Sequence, residues 1–181
     1  LIDQYDWGFI DAGLSCAALR TTWQSDNPGS SNNTSITIPT FGAGYDYDVY
    51  WEEDANPGNY GIITAQTGSI TIDFGVAGSY YVEITGDFPQ IYFNNGGDKD
   101  KLLTVEQWGD ISWISMARAF RGCTNLSIPA LDVPDLSIVT DMSFMFSDAA
   151  ALNQNINGWD VSNVINMQNL FSGAILFNSD L

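Results

Sequence analysis

The sequence predicts a mainly β chain in two parts, a β-sandwich followed by a short repeat solenoid. Two periodicities carry that prediction. From about Ser35 to Asn94 apolar residues recur every second position, and after Trp108 a longer pattern recurs at offsets of 26 and then 25 residues. A third observation supports both: glycine, proline and asparagine clusters punctuate the first half at short intervals, as turns between short strands require.

In the first half, YDYDVYW places Tyr45, Tyr47, Val49 and Trp51 on one side of a strand, with Asp46, Asp48 and Tyr50 on the other. SITIDF repeats the alternation with Ile70, Ile72 and Phe74, and SYYVEIT with Tyr80, Val82 and Ile84. Strands with one apolar and one polar face belong to antiparallel sheets that are solvated on one side. The turns are NPGSSNN at 27–33, FGAG at 41–44, ANPGNYG at 55–61 and GVAG at 75–78. Several such strands in series read as a sandwich. NNGGDKDK at 94–101, polar and glycine-paired, reads as the boundary. The expected divisions are an unassigned segment 1–30, a sandwich 31–97 and a repeat region 98–181.

In the repeat region, the stretch from Trp108 aligns without gaps over those from Pro134 and Trp159. Met116, Met142 and Met167 share one column; Phe120, Phe146 and Phe171 a second; Trp113, Val139 and Val164 a third; Leu126, Leu152 and Phe177 a fourth. A fixed period of this length implies units that stack, each burying its apolar face on its neighbours. The columns are therefore core rungs. Cys123 shares a column with Ala149 and Ala174, where a small buried side chain is wanted. A long-range disulfide between Cys16 and Cys123 is the competing reading for an exported chain.

The charge balance narrows the partners. Lysine and arginine number 5 against 22 acids, with no histidine, for a formal charge of −17. Such a surface repels phosphate backbones and anionic lipid, so no nucleic-acid partner is expected. No apolar run is long enough to span a bilayer, so no membrane-spanning segment is expected either. Without histidine there is no Ser–His–Asp or Cys–His pairing, and the paired carboxylates of YDYD and WEED have no evident cleft. The chain reads as non-enzymatic and without a cofactor, calcium excepted. Asp46, Asp48, Glu52, Glu53 and Asp54 could offer a calcium ion oxygen ligands from one strand end and its loop. The alternative is a solvated acidic edge that discourages edge-to-edge pairing.

Trp108, Pro134 and Trp159 align in one column. Exposed, they would form a stripe able to stack on sugars or an apolar partner; buried, they would staple successive turns. Sequons stand at Asn32, Asn33 and Asn125.

NGWDVSNVINMQNLFSGAILFNSDL resembles the roughly 25-residue repeat of BspA-like bacterial surface proteins, a divergent leucine-rich repeat. MARAFRGCTNLSI resembles the AFxxCxxL form of the same superfamily. This resemblance runs from Trp108 to Leu181 and implies a right-handed solenoid, with short strands at LSI, LNQNI and LFNSDL. It ends without a visible cap, as a truncated or uncapped array would. Phe74, Gly78, Tyr80, Val82 and Ile84, following YDYDVYWEEDAN, resemble a PKD-like, immunoglobulin-type sandwich, with Glu52 and Glu53 where that pattern has Asp or Asn. Together the resemblances imply an extracellular or cell-surface protein for adhesion or recognition of a protein or glycan. The alternative is a structural stalk or assembly subunit that self-associates or binds a partner through its uncapped end.

Overall fold

A computed structural model describes residues 18–179. Among them there are seven strands and no helix. β1 is Leu19–Gln24, β2 Ser35–Ile38, β3 Asp46–Glu53, β4 Asn56–Gln66, β5 Ile70–Asp73, β6 Ser79–Asp87 and β7 Leu102–Gln107. They form an open five-stranded antiparallel sheet in the order β4-β3-β6-β1-β7 and a two-stranded antiparallel sheet, β2-β5.

The inner faces of the two sheets share one core. Trp23, Tyr47, Val49, Tyr80, Val82 and Ile84 of the large sheet are buried with Ile36, Ile38 and Ile72 of the small one. Phe74, just past β5, stacks on Tyr80 with ring centroids 3.7 Å apart. Burying each such side chain is worth roughly 1.5–3 kcal/mol relative to exposure, and the alternating pattern delivers these residues to one side. β3 and β6 approach closely enough that a Cβ on Gly86, at φ +93°, would lie 2.6 Å from the Asp46 carbonyl oxygen. Only glycine fits there.

The large sheet reaches past 31–97 on both sides, since β1 pairs with β6 and β7 pairs with β1. NNGGDKDK, expected as a boundary, is packed rather than a free linker. Lys101 and Asp98 are both about 1% exposed. The Lys101 ammonium donates to the backbone oxygens of Asn32 and Ser35 at 2.7 and 2.9 Å and to Ser31 Oγ at 2.8 Å. Asp98 accepts from the Ser31 and Thr37 amides at 2.9 and 2.6 Å. The polar residues that suggested a boundary form a lock on the 27–34 loop.

Beyond β7 the chain runs in turns, and its three copies are joined by backbone hydrogen bonds. The amides of Met116, Arg118, Phe120 and Gly122 donate to the carbonyls of Asp141, Ser143, Met145 and Ser147, at 2.7–3.0 Å. One copy on, those of Met142, Phe144, Phe146 and Asp148 donate to Asn166, Gln168, Leu170 and Ser172, at 2.7–2.9 Å. Phe120, Phe146 and Phe171 stack in series, with centroids 5.8 and 5.7 Å apart. Met116, Met142, Trp113, Val139, Leu126 and Leu152 are fully buried, as their columns require.

The expected strands at LSI, LNQNI and LFNSDL do not form among the described residues; only Ser127 makes an isolated parallel bridge, to Thr104. The stacking bonds run instead through turns in which φ is positive at Arg118, Phe144 and Asn169 (57°, 57° and 56°). A second positive-φ column holds Gly122, Asp148 and Gly173. Alternate amides point to one side as they do in an extended strand, so each row reaches the next copy even though φ is positive at two donors in each row.

Candidate functional site

The Trp108–Pro134–Trp159 column is not an exposed stripe. Trp108 and Pro134 are buried and Trp159 is half-buried. The Trp108 ring stands at 90° to Trp159, centroids 5.3 Å apart, and nearly perpendicular to Trp113 at 6.1 Å. Trp159 also leans on Phe146 at 6.1 Å. Large apolar rings at the start of each copy gain more from packing on the next turn than from facing water, so they staple the copies.

The five acidic residues do not converge on one point. Asp46, Asp48 and Glu52 project from the outer face of β3, while Glu53 falls on the inner side, near Gly78. Each of four has its own local partner. Asp48 accepts from the Ala65 amide at 2.8 Å, Glu53 from the Asn59 side chain at 2.8 Å and Asp54 from the Tyr81 hydroxyl at 3.0 Å. Glu52 accepts from the Tyr50 hydroxyl. Among the described residues no group of three or more acidic, histidine or cysteine side chains is arranged to hold a metal ion. Strand alternation separates residues adjacent in sequence, which is why the cluster dissolves on folding.

Cys123 is a fully buried free thiol whose pKa burial pushes well up, so it packs in its small-residue column as an inert group. Cys16 lies outside the described residues. Asn32, Asn33 and Asn125 are all exposed; the Asn125 side chain donates to the Asp100 carbonyl at 2.7 Å.

Among the described residues, two concavities offer room for a ligand. The first lies on the outer face of the large sheet, about 330 Å³, and draws its lining from all five strands. Its floor is Tyr50 and Glu52 of β3, Tyr81 and Glu83 of β6 and Arg20 of β1. These groups largely satisfy one another. Arg20 Nε pairs with Glu83 at 2.8 Å, and Glu106 of β7 accepts from Thr22 at 2.7 Å. Burial, then the Glu52 carboxylate, push the Tyr50 phenol far up, so it stays a donor.

The second is a cleft of about 450 Å³ at the seam between the sheets and the repeats. Thr85, Gly86 and Asp87 at the end of β6 form one wall. Asp110, Ser112 and Ile114 of the first copy and Ile138 of the second form the other. Ile114 and Ile138 are each 58% exposed, in a region where neighbouring isoleucine and valine rungs are buried. Two exposed isoleucines flanked by two carboxylates and small hydroxyls make an amphipathic cleft built by both halves. Ligand sites favour such seams. Nothing in the columns marks it in the sequence: Ile114 and Ile138 belong to different columns and meet only once the copies are stacked.

Residues 101–181, a little under half of the chain, match a protein-family model described as "Mycoplasma protein of unknown function, DUF285". The matched span covers the repeats, in line with the BspA-like resemblance of the same stretch. No curated protein and no solved structure matches the chain. No helix among the described residues is long and apolar enough to cross a membrane.

Proposed function

We propose that this chain is a non-catalytic extracellular surface protein that mediates adhesion or recognition of a protein or glycan. In this reading an immunoglobulin-type, PKD-like sandwich leads into a right-handed leucine-rich-repeat-like solenoid. The observation that supports it is the seam cleft, where Ile114 and Ile138 lie open between Asp87 and Asp110. Exposed apolar side chains within a rimmed concavity mark contact surfaces, and the carboxylates would select a partner with basic or hydroxyl groups.

The experiment is a comparison of wild type with an Ile114→Asp, Ile138→Asp double variant. Both are applied to a glycan array and to immobilised extracts of candidate host surfaces. Binding lost in the variant, with its melting temperature unchanged, assigns recognition to the cleft. Binding of equal strength by both proteins would remove the cleft from the account. A signal confined to the array identifies a glycan, and one confined to the extracts a protein.

A further inference from the structure

Three of the chain's five bases are paired with carboxylates: Arg20 with Glu83 at 2.8 Å, Lys99 with Asp100 at 2.9 Å and Lys101 with Asp98 at 4.0 Å. Arg118 and Arg121 form no ion pair with any described residue, in a sequence that carries 22 acids. Both guanidiniums lie instead against one aromatic ring. Their Cζ atoms stand 5.6 and 5.2 Å from the centroid of Phe144, within cation–π range. Arg121 uses little of its hydrogen-bonding capacity: Nη1 donates to Asn94 Oδ1 at 3.3 Å, and Nε is buried without a partner. Asp141, close enough to feel the Arg118 charge, accepts from the Ser143 amide at 2.8 Å rather than from either arginine.

Packing alone does not account for this trio. Arg118, Phe144 and Asn169 hold the same place in successive copies, at φ 57°, 57° and 56°. Asparagine adopts that backbone shape readily, whereas arginine and a bulky phenylalanine do so at a cost. Breaches of local preference gather where another demand prevails. One guanidinium would suffice to cover the ring, and a second sets like charges side by side. The flanking residues are neutral amides. The turn at 90–95 packs on the first copy as that copy packs on the second: the Phe93, Asn94 and Asn95 amides donate to the carbonyls of Ala119, Arg118 and Arg121 at 2.9–3.2 Å. It thereby sets the exposed Asn94 and Asn95 beside the arginines, and the exposed Gln168 and Asn169 follow on from Phe144.

We infer that Arg118 and Arg121, held on Phe144 and flanked by these amides, form a binding site for a compact, singly charged oxyanion, a carboxylate or a sulfate ester. A guanidinium fork bonds such oxygens two at a time, and an anion shared by the pair removes the repulsion between them. The field of a chain at −17 opposes an anion in proportion to its charge and reaches about 8–10 Å at ordinary ionic strength. A single charge on a small group is therefore opposed least, and a phosphate monoester or a polyanion more. None of these residues lines the seam cleft, so the site stands whether or not the cleft binds.

The test follows the arginine Nε–H resonances of the whole chain by NMR. Glucuronate, a sulfated glucose, a phosphorylated glucose and glucose itself are titrated in turn at constant ionic strength. Expected are saturable shifts at Arg118 and Arg121 with glucuronate or the sulfated sugar, none with glucose, and none at Arg20, which Glu83 already holds. The tighter of the two anions names the source of the oxyanion. Arg118→Gln and Arg121→Gln, at unchanged melting temperature, should each weaken binding by roughly tenfold or more. The wild-type titration decides the matter even if a variant does not fold. Absence of a saturable shift overturns the site, as do shifts of equal size at Arg20, which would reduce the effect to general ion binding. Tighter binding of the phosphorylated sugar than of both others overturns the selection for a single charge.

Discussion

The first and last copies are built on the same columns but live in different surroundings. Phe120 and Met116 are fully buried between the residues that follow β6 of the large sheet and the second copy, whereas Phe171 and Met167 have the second copy on one side only among the described residues. What differs is the neighbour, not the rung. In a stack of this kind a side chain's contribution is set by how many copies enclose it, so the same column residue contributes unequally along the array.

The comparison breaks most sharply at the phenylalanine ladder. Phe146→Ala removes a ring stacked on both Phe120 and Phe171 and should cost about 3–5 kcal/mol in urea unfolding, whereas Phe171→Ala should cost less than half of that. Equal losses at the two sites would show that the third copy is as enclosed as the second. Lys101→Met should come next, at about 3 kcal/mol. It strands the Asp98 carboxylate and three carbonyl or hydroxyl acceptors in a dry site. Such a loss should lower the melting temperature of the sheets and first copy together, because the lock holds the segment that joins them.

Gly122→Ala should cost about 1–3 kcal/mol, since a Cβ there meets Asn95 at a φ of +78°. Gly173→Ala has the same φ but presses on Asp148 at the less enclosed junction, and should cost less. The smallest effect is on pH. Burial alone would raise the Asp98 pKa, but hydrogen bonds from Ser31, the Lys101 ammonium and the Thr37 amide outweigh it and hold the carboxyl below its ordinary value. A depressed carboxyl pKa stabilises the fold above the unfolded-state pKa, and that stability is lost as pH falls toward the folded one. Asp98→Asn should therefore flatten the acid limb of a stability–pH curve. An unchanged limb would assign acid sensitivity to other carboxylates.

Much of this was legible in the residues. Tyr47, Val49, Ile72, Val82 and Ile84 alternate as a half-buried sheet must, and the Met and Phe columns announce stacking. β1 was harder to read because LRTTWQ carries threonine where the other strands carry aliphatic residues, although Thr21 and Trp23 both face inward and are bonded to each other at 2.9 Å. The turn at 90–95 was hidden for a different reason. Phe93 keeps its column, but the methionine position falls on Pro89 and the spacing to the first copy is longer than the later two. Backbone geometry preserved a pattern that side chains had lost. Whether the Trp108–Pro134–Trp159 column was buried was not legible for a third reason: a column groups residues by position in the turn, and position alone does not say which side of the turn faces water.

The Lys101 lock has a consequence for the whole molecule. A chain with a formal charge of −17 strains against its own surface field, and dissolved ions relieve that strain by gathering within about 8–10 Å of it. Lys101 is a counter-ion of another kind, tethered by its own backbone and closed off from the bath. Brine and fresh water will alter how strongly the outer carboxylates repel one another, but the ammonium beneath the 27–34 loop meets the same oxygens in both.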